Sequence, residues 1–176
     1  MLRIEELQQI MPLSGQRATR FLNPLNSAMS EFSITSRERM AGFLAQLAHE
    51  SGQLRYVREL WGPTPAQRGY EGRKDLGNIH AGDGVRYLGR GLIQVTGRAN
   101  YDTCGKALGA DLLSNPELLE TPELACRSAA WFWSTRGLNA LADAGEWEKI
   151  SRRINGGANG LAERLAFTRK ALEIFT

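Results

Sequence analysis

The chain has 176 residues, 42% of them apolar and 23% charged, with a formal net charge of +3. That length supports a single domain over residues 1–176, with a real core or two small lobes sharing a cleft, and the composition excludes a disordered or low-complexity polymer. No apolar run approaches the roughly 18 residues of a membrane span, and two histidines without a Cys-x-x-Cys pair leave a metal site little to draw on.

The first residues, "MLRIEELQQIMP", read as a short amphipathic helix. They lack the basic start, apolar block and small-residue cleavage site of a signal peptide, so synthesis in the cytoplasm is expected. Pro24 interrupts "QRATRFLNPLNSAMSEF", which predicts two helical pieces with a kink or turn between them. A helix from Ser36 to Ser51 follows, with Thr35 and Glu38 as a capping box and Gly52 at its end. Its apolar stripe is Met40, Phe43, Leu44, Leu47 and Ser51. Glu50 falls about 80° from the centre of that stripe, which puts a carboxyl at the rim of the core.

Residues 62–96 change character, with many glycines beside Pro63 and Pro65, and read as a loop-rich segment. Within it "VRYLGRGLIQVTG" has strand-forming residues broken by Gly89 and Gly91, which predicts a short hairpin or an extended, ordered loop. Residues 53–100 also hold eight basic and four acidic side chains, a local excess larger than that of the whole chain. Such a segment attracts an anionic polymer or forms a solvated face, and no aromatic-basic alternation favours nucleic acid.

Helices resume at Arg98. "SNPELL" and "TPELA" each place a polar cap before a helix-starting proline, with a glutamate suited to the helix dipole. "ACRSAAWFW" reads as a buried central helix. Trp147, Ile150 and Ile154 mark another amphipathic series, and a final helix shows Leu161, Leu165, Thr168, Leu172 and Phe175 on one face. Cys104 and Cys126 are expected to be two buried thiols. The fold class is mainly α, with at most a small β-hairpin.

Three islands do not read as core packing: His49-Glu50-Ser51 with Glu59 nine residues beyond Glu50, "GRGLIQVTG" at 89–97, and "INGGANG" at 154–160. Glycines that free the backbone, beside Gln, Thr and Asn, suit a groove that hydrogen-bonds a polar chain such as a glycan, though each island alone also reads as a turn. In this order the islands resemble the family 19 glycoside hydrolases, which include plant-type chitinases and a compact branch of phage and prophage endolysins. The resemblance runs from about Pro12 to the C-terminus.

The resemblance implies a lysozyme-like, two-lobed helical fold with a cleft, and inverting hydrolysis of a β-1,4 linkage next to an N-acetylated sugar. It makes Glu50 the general acid, Glu59 the general base and Thr96 a holder of the attacking water, with Gln94 and Asn155 binding the sugar chain. His49, Tyr87 and Tyr101 are further candidates for substrate contact. No cofactor or metal is implied. Only eight residues separate the two glutamates, as in the endolysin-like branch, and the chitinases' cysteine pattern is missing.

These roles also have a physical logic. Inverting glycosidases need a protonated and an ionised carboxyl roughly 6.5–9.5 Å apart, leaving room for water. Glu50 beside an apolar stripe would pay desolvation when charged, which suits an acid. Arg55 or Arg58 near Glu59 would favour a basic carboxylate. Glu71 is the rival for that second role, but Arg68, Arg73 and Lys74 around it favour a structural ion-pair network.

The expected substrate is bacterial peptidoglycan, met by a monomeric enzyme after release through a separate pore-forming protein. The nearest alternative is chitin or its oligosaccharides. A lytic transglycosylase, which uses one acid and no activated water, is disfavoured by Glu59 and Thr96. A non-catalytic glycan-binding protein has no need of two matched glutamates. Neither nucleic acid nor stable membrane association is expected.

Overall fold

The computed structural model describes residues 1–175. Ten α-helices follow one another: α1 (Ile4–Ile10), α2 (Gln16–Glu31), α3 (Arg37–Glu50), α4 (Pro65–Arg68), α5 (Asp83–Arg86), α6 (Arg98–Leu108), α7 (Pro122–Thr135), α8 (Leu138–Asp143), α9 (Trp147–Asn155) and α10 (Leu161–Ile174). Two 3₁₀ turns, Lys74–Leu76 and Pro116–Glu120, lie between them. The chain is mainly helical, as its periodicity predicts.

The larger apolar cluster is built around α3, which packs against α7, α8, α9 and α10. Every residue from Met40 to Ala48 is buried, so α3 is enclosed on all sides and the predicted stripe is only part of its contact surface. The smaller cluster gathers Tyr87, Val95, Tyr101, Cys104, Leu108, Leu112 and Leu119 beneath the loop-rich segment. Phe32 and Ile93 pack against both clusters and join the two lobes.

Several local expectations are corrected. Pro24 sits inside an unbroken α2. Phe21, Leu25, Ala28 and Met29 on the buried face of α2 hold the helix against α7 through the position where proline removes a backbone hydrogen bond. The N-cap of α3 is Ser36 rather than Thr35, because it is the Ser36 hydroxyl that accepts from the Arg39 N–H at 3.2 Å. Its far end closes as expected at Ser51 and Gly52, where the Gly52 and Gln53 N–H groups donate back to the His49 and Ala48 carbonyls.

"SNPELL" forms only the second 3₁₀ turn, since Asn115 supplies no side-chain cap, whereas Thr121 caps α7 through the Leu124 N–H. On α10 the most buried face is Arg164, Thr168 and Ala171, one position off the predicted leucine stripe. Cys104 and Cys126 are free and buried, and burial pushes the Cys104 thiol up to about 12.

The predicted hairpin exists as a minimal ladder. Arg90 bridges antiparallel to Val95 on one side and to Arg58 on the other. The loop carrying it is pinned by Asp83, 2% exposed, which pairs with Arg98 at 2.6 Å. That hydrogen-bonded guanidinium pulls the Asp83 carboxyl down from 3.8 to about 2.

Candidate active site

The ladder decides which side chains meet. With Arg58, Arg90 and Val95 in register, the next row across the three segments is Glu59, Gly89 and Thr96. Side chains of one row share a face, so Glu59 and Thr96 flank a position that has no side chain. A Cβ placed on Gly89 would lie 3.3 Å from Glu59 Oε2, 3.3 Å from Thr96 Oγ1 and 2.7 Å from Gln94 Oε1. Gly89 therefore leaves a gap bounded by a carboxylate, a hydroxyl and an amide oxygen. Gln94 reaches this gap from a left-handed backbone conformation (φ +57°), with its Nε2 donating to the Gly91 carbonyl at 2.9 Å.

Glu59 is fixed by neutral donors. Gln67 Nε2 donates to its Oε1 at 2.9 Å, Tyr70 Oη to the same oxygen at 3.2 Å, and the Gly89 N–H to Oε2 at 3.1 Å. Gln67 is itself locked, because its side-chain Oε1 accepts the Gly62 and Thr64 N–H groups. Burial, followed by the charge of Glu59, pushes the Tyr70 phenol up, so it stays protonated as a donor. The expected arginine partners are elsewhere: Arg55 stacks on Tyr56, and Arg58 lies 4.0 Å from Glu120.

Glu50 has a setting that its sequence position does not announce. In place of an apolar rim, its Oε1 accepts from Arg164 Nη2 at 2.5 Å, and Arg164 Nη1 donates to Gln46 Oε1 at 2.6 Å. Arg164 is 2% exposed and Glu50 22%, so the guanidinium is sealed beneath a carboxyl that still reaches the surface. The preceding residues repeat the pattern, with His49 Nδ1 2.5 Å from Glu163 Oε2. A Cβ on Gly160, the N-cap of α10, would lie 2.2 Å from His49 Cε1, so only glycine lets the helix end press onto the imidazole. Two successive residues at the end of α3 are thus held by two successive residues of α10.

The turn between the glutamates is strained. Gln53 and Leu54 both have positive φ (59° and 66°), a conformation that costs most residues about 1–2 kcal/mol each. Burial of Leu54 and the bond from its N–H to Ser51 Oγ at 2.8 Å hold it there. Three of the four non-glycine residues with positive φ among those described, Gln53, Leu54 and Gln94, thus lie between the two glutamates or beside the Gly89 gap, and the fourth, Ser33, follows α2.

Other sequence candidates are placed differently. Tyr87 and Tyr101 are 1% and 0% exposed and present no surface to a substrate. Their hydroxyls donate to the Leu113 and Leu88 carbonyls, which supports the loop from within. His49 serves the α3–α10 clamp. Asn155 holds its own loop, donating to the Asn159 carbonyl at 2.7 Å and accepting the Gly157 N–H at 2.8 Å. Glu71 accepts the Gly82 and Gly84 N–H groups at 2.7 and 2.8 Å, so its role is structural through backbone donors rather than through arginines.

The residues that sequence reasoning missed are Arg164, Gln46, Gln67 and Tyr70. Only Arg164 left a signal, an arginine four and seven residues before Thr168 and Ala171 on the buried face of α10. Among the described residues no cluster of three His, Cys, Asp or Glu side chains could hold a metal, and no helix is long and apolar enough to cross a membrane.

Comparison with known proteins points the same way. The family model for glycoside hydrolase family 19, chitinase class I, matches residues 25–144. A Haemophilus influenzae protein described as a glycosyl hydrolase family 19 domain-containing protein is 33% identical over 168 residues, covering 80% of this chain and 82% of that one. The Arabidopsis thaliana endochitinase CHI is 36% identical over 116 residues, 65% of this chain but only 42% of the plant protein. Chitinase C from Streptomyces griseus shares the fold, with a TM-score of 0.78 at 24% identity over 98% of this chain and 76% of that one.

Proposed function

This chain belongs to glycoside hydrolase family 19, and on that premise we propose that it cleaves the β-1,4-linked glycan of bacterial peptidoglycan by inverting acid/base hydrolysis, in the manner of an endolysin. The observation that carries the mechanism is the row Glu59–Gly89–Thr96, a carboxylate and a hydroxyl facing one side-chain-free gap. A water in that gap hydrogen-bonds to Thr96 and gives a proton to Glu59 as its oxygen attacks the anomeric carbon. Glu50 gives its proton to the departing glycosidic oxygen, and Arg164 stabilises the carboxylate that remains. One C–O bond forms and one breaks, water is consumed, and no covalent intermediate is needed.

The match to the plant endochitinase covers only about two fifths of that protein, and one feature of this chain supports peptidoglycan as the glycan. The basic stretch 53–100 exposes Arg55, Arg58, Arg68, Arg73, Lys74 and Arg86, a surface suited to a wall that carries anionic polymer. Chitin is the second reading, favoured by the chitinase names of several relatives and structural neighbours. Digestion of purified peptidoglycan and of chitohexaose, with mass analysis of the products, separates the two. Hydrated reducing ends from peptidoglycan are expected. Hydrated ends from chitohexaose alone would move the enzyme to chitin, and products 18 mass units lighter would replace hydrolysis by transglycosylation.

A further inference from the structure

Beyond Thr96 the site continues into a cavity of about 180 Å³ with walls of three kinds. Trp131 and Phe132 give it an aromatic side, Gln94, Thr96 and Asn100 supply amides and a hydroxyl, and Arg136 is the one charged residue lining it among those described. Gln94 and Thr96 also border the Gly89 gap, so the cavity shares two residues with the place where bond cleavage is assigned.

Arg136 is the C-cap of α7. Its guanidinium lies over the Phe132 ring, 3.4 Å from the centroid. Among the described residues its side chain makes no ion pair and no hydrogen bond; only its backbone is used, the N–H donating to the Ser134 carbonyl and the carbonyl accepting from Arg153. Other arginines differ, since Arg90, Arg98 and Arg127 each hold a carboxylate. Partial burial alone lowers the Arg136 pKa, with no acidic neighbour acting against it. A planar fork held over an aromatic ring, with its side-chain N–H groups unspent, is a preorganised receptor for a carboxylate.

We propose that this cavity is a subsite for a sugar bearing an acidic substituent: Trp131 receives the apolar face of the ring, Gln94 and Asn100 its hydroxyl or acetamido groups, and Arg136 a carboxylate carried on a 3-O-lactyl group, free or extended by a peptide. The assignment rests on the glycan-hydrolase reading of Glu59 and Thr96, and it deepens that reading by naming the feature that separates peptidoglycan from neutral chitin.

The test is calorimetric binding to the full chain silenced by Glu50→Gln. One ligand is a tetrasaccharide of alternating N-acetylglucosamine and N-acetylmuramic acid with free lactyl carboxyls, and the other is chitotetraose. Adding Arg136→Gln is expected to lower the preference for the acidic over the neutral tetrasaccharide about tenfold, as loss of a charged hydrogen bond does, while Arg136→Lys keeps only part of that preference, because an ammonium retains the charge but not the stacked fork. A preference unchanged by Arg136→Gln, or no measurable binding of the acidic tetrasaccharide to the parent, overturns the subsite. Turnover by the wild-type chain is scored separately. Hydrolysis of neither glycan would refute the proposed activity, while the binding ratio would still decide the role of Arg136.

Discussion

Glu50→Gln is expected to leave the fold intact and to lower glycan turnover by about 10²–10⁴-fold, the contribution of a positioned general acid. Glutamine keeps an oxygen for Arg164 Nη2, so the clamp between α3 and α10 survives. The acidic proton is lost, and with it the means of neutralising the departing oxygen. Loss of turbidity of outer-membrane-stripped cells measures the effect on whole walls, and circular dichroism checks the fold. A folded variant retaining more than half of wild-type lysis would remove Glu50 from the chemistry.

Glu59→Gln is expected to be nearly as damaging, and Glu71→Gln is not. An amide at 59 cannot take the proton of the attacking water. It also points an N–H₂ group at one of the donors that now meet the carboxylate, Gln67 and Tyr70 on one side and the Gly89 N–H on the other. Some stability should go with the activity. At 71 the same change weakens the two backbone bonds that tie Gly82 and Gly84 to the loop. The Glu71 variant should therefore melt at a lower temperature with turnover largely kept. Paired melting and rate measurements decide the matter: a Glu71→Gln protein with wild-type melting temperature and no activity would exchange the two roles.

Which features could be read from the sequence follows from how local their causes are. The C-terminal end of α3, the Thr121 cap, the glycine-broken hairpin and the burial of both cysteines each depend on a few neighbouring residues, and each was legible. The islands that hold Glu50, Glu59, Gln94 and Thr96 stand out because glycines and polar side chains interrupt apolar patterning there, and the resemblance to family 19 glycoside hydrolases then picks out these four residues. Their partners could not be found this way. Arg164 reaches Glu50 across 114 residues of sequence, and an arginine inside an apolar face reads as a register error until its carboxylate is seen. Gln67 and Tyr70 lie in a segment without periodicity, where nothing indicates which way a side chain turns. Pro24 misled because packing of α2 on α7 outweighs the local loss of a hydrogen bond. Tyr87 and Tyr101 misled because an aromatic beside a functional motif reads equally as a sugar platform or as the core beneath the motif, and here they are core.

The proposed mechanism requires that Glu59 and Thr96 direct a water onto the face of the sugar opposite the group that Glu50 protonates. Proton NMR of the first products from a defined oligosaccharide, recorded before mutarotation, tests this directly. The α-anomer, with a hydrated reducing end, is the predicted result. A β-anomer would mean a covalent intermediate and a nucleophilic carboxylate, and would contradict the assignment of Glu59 and Thr96.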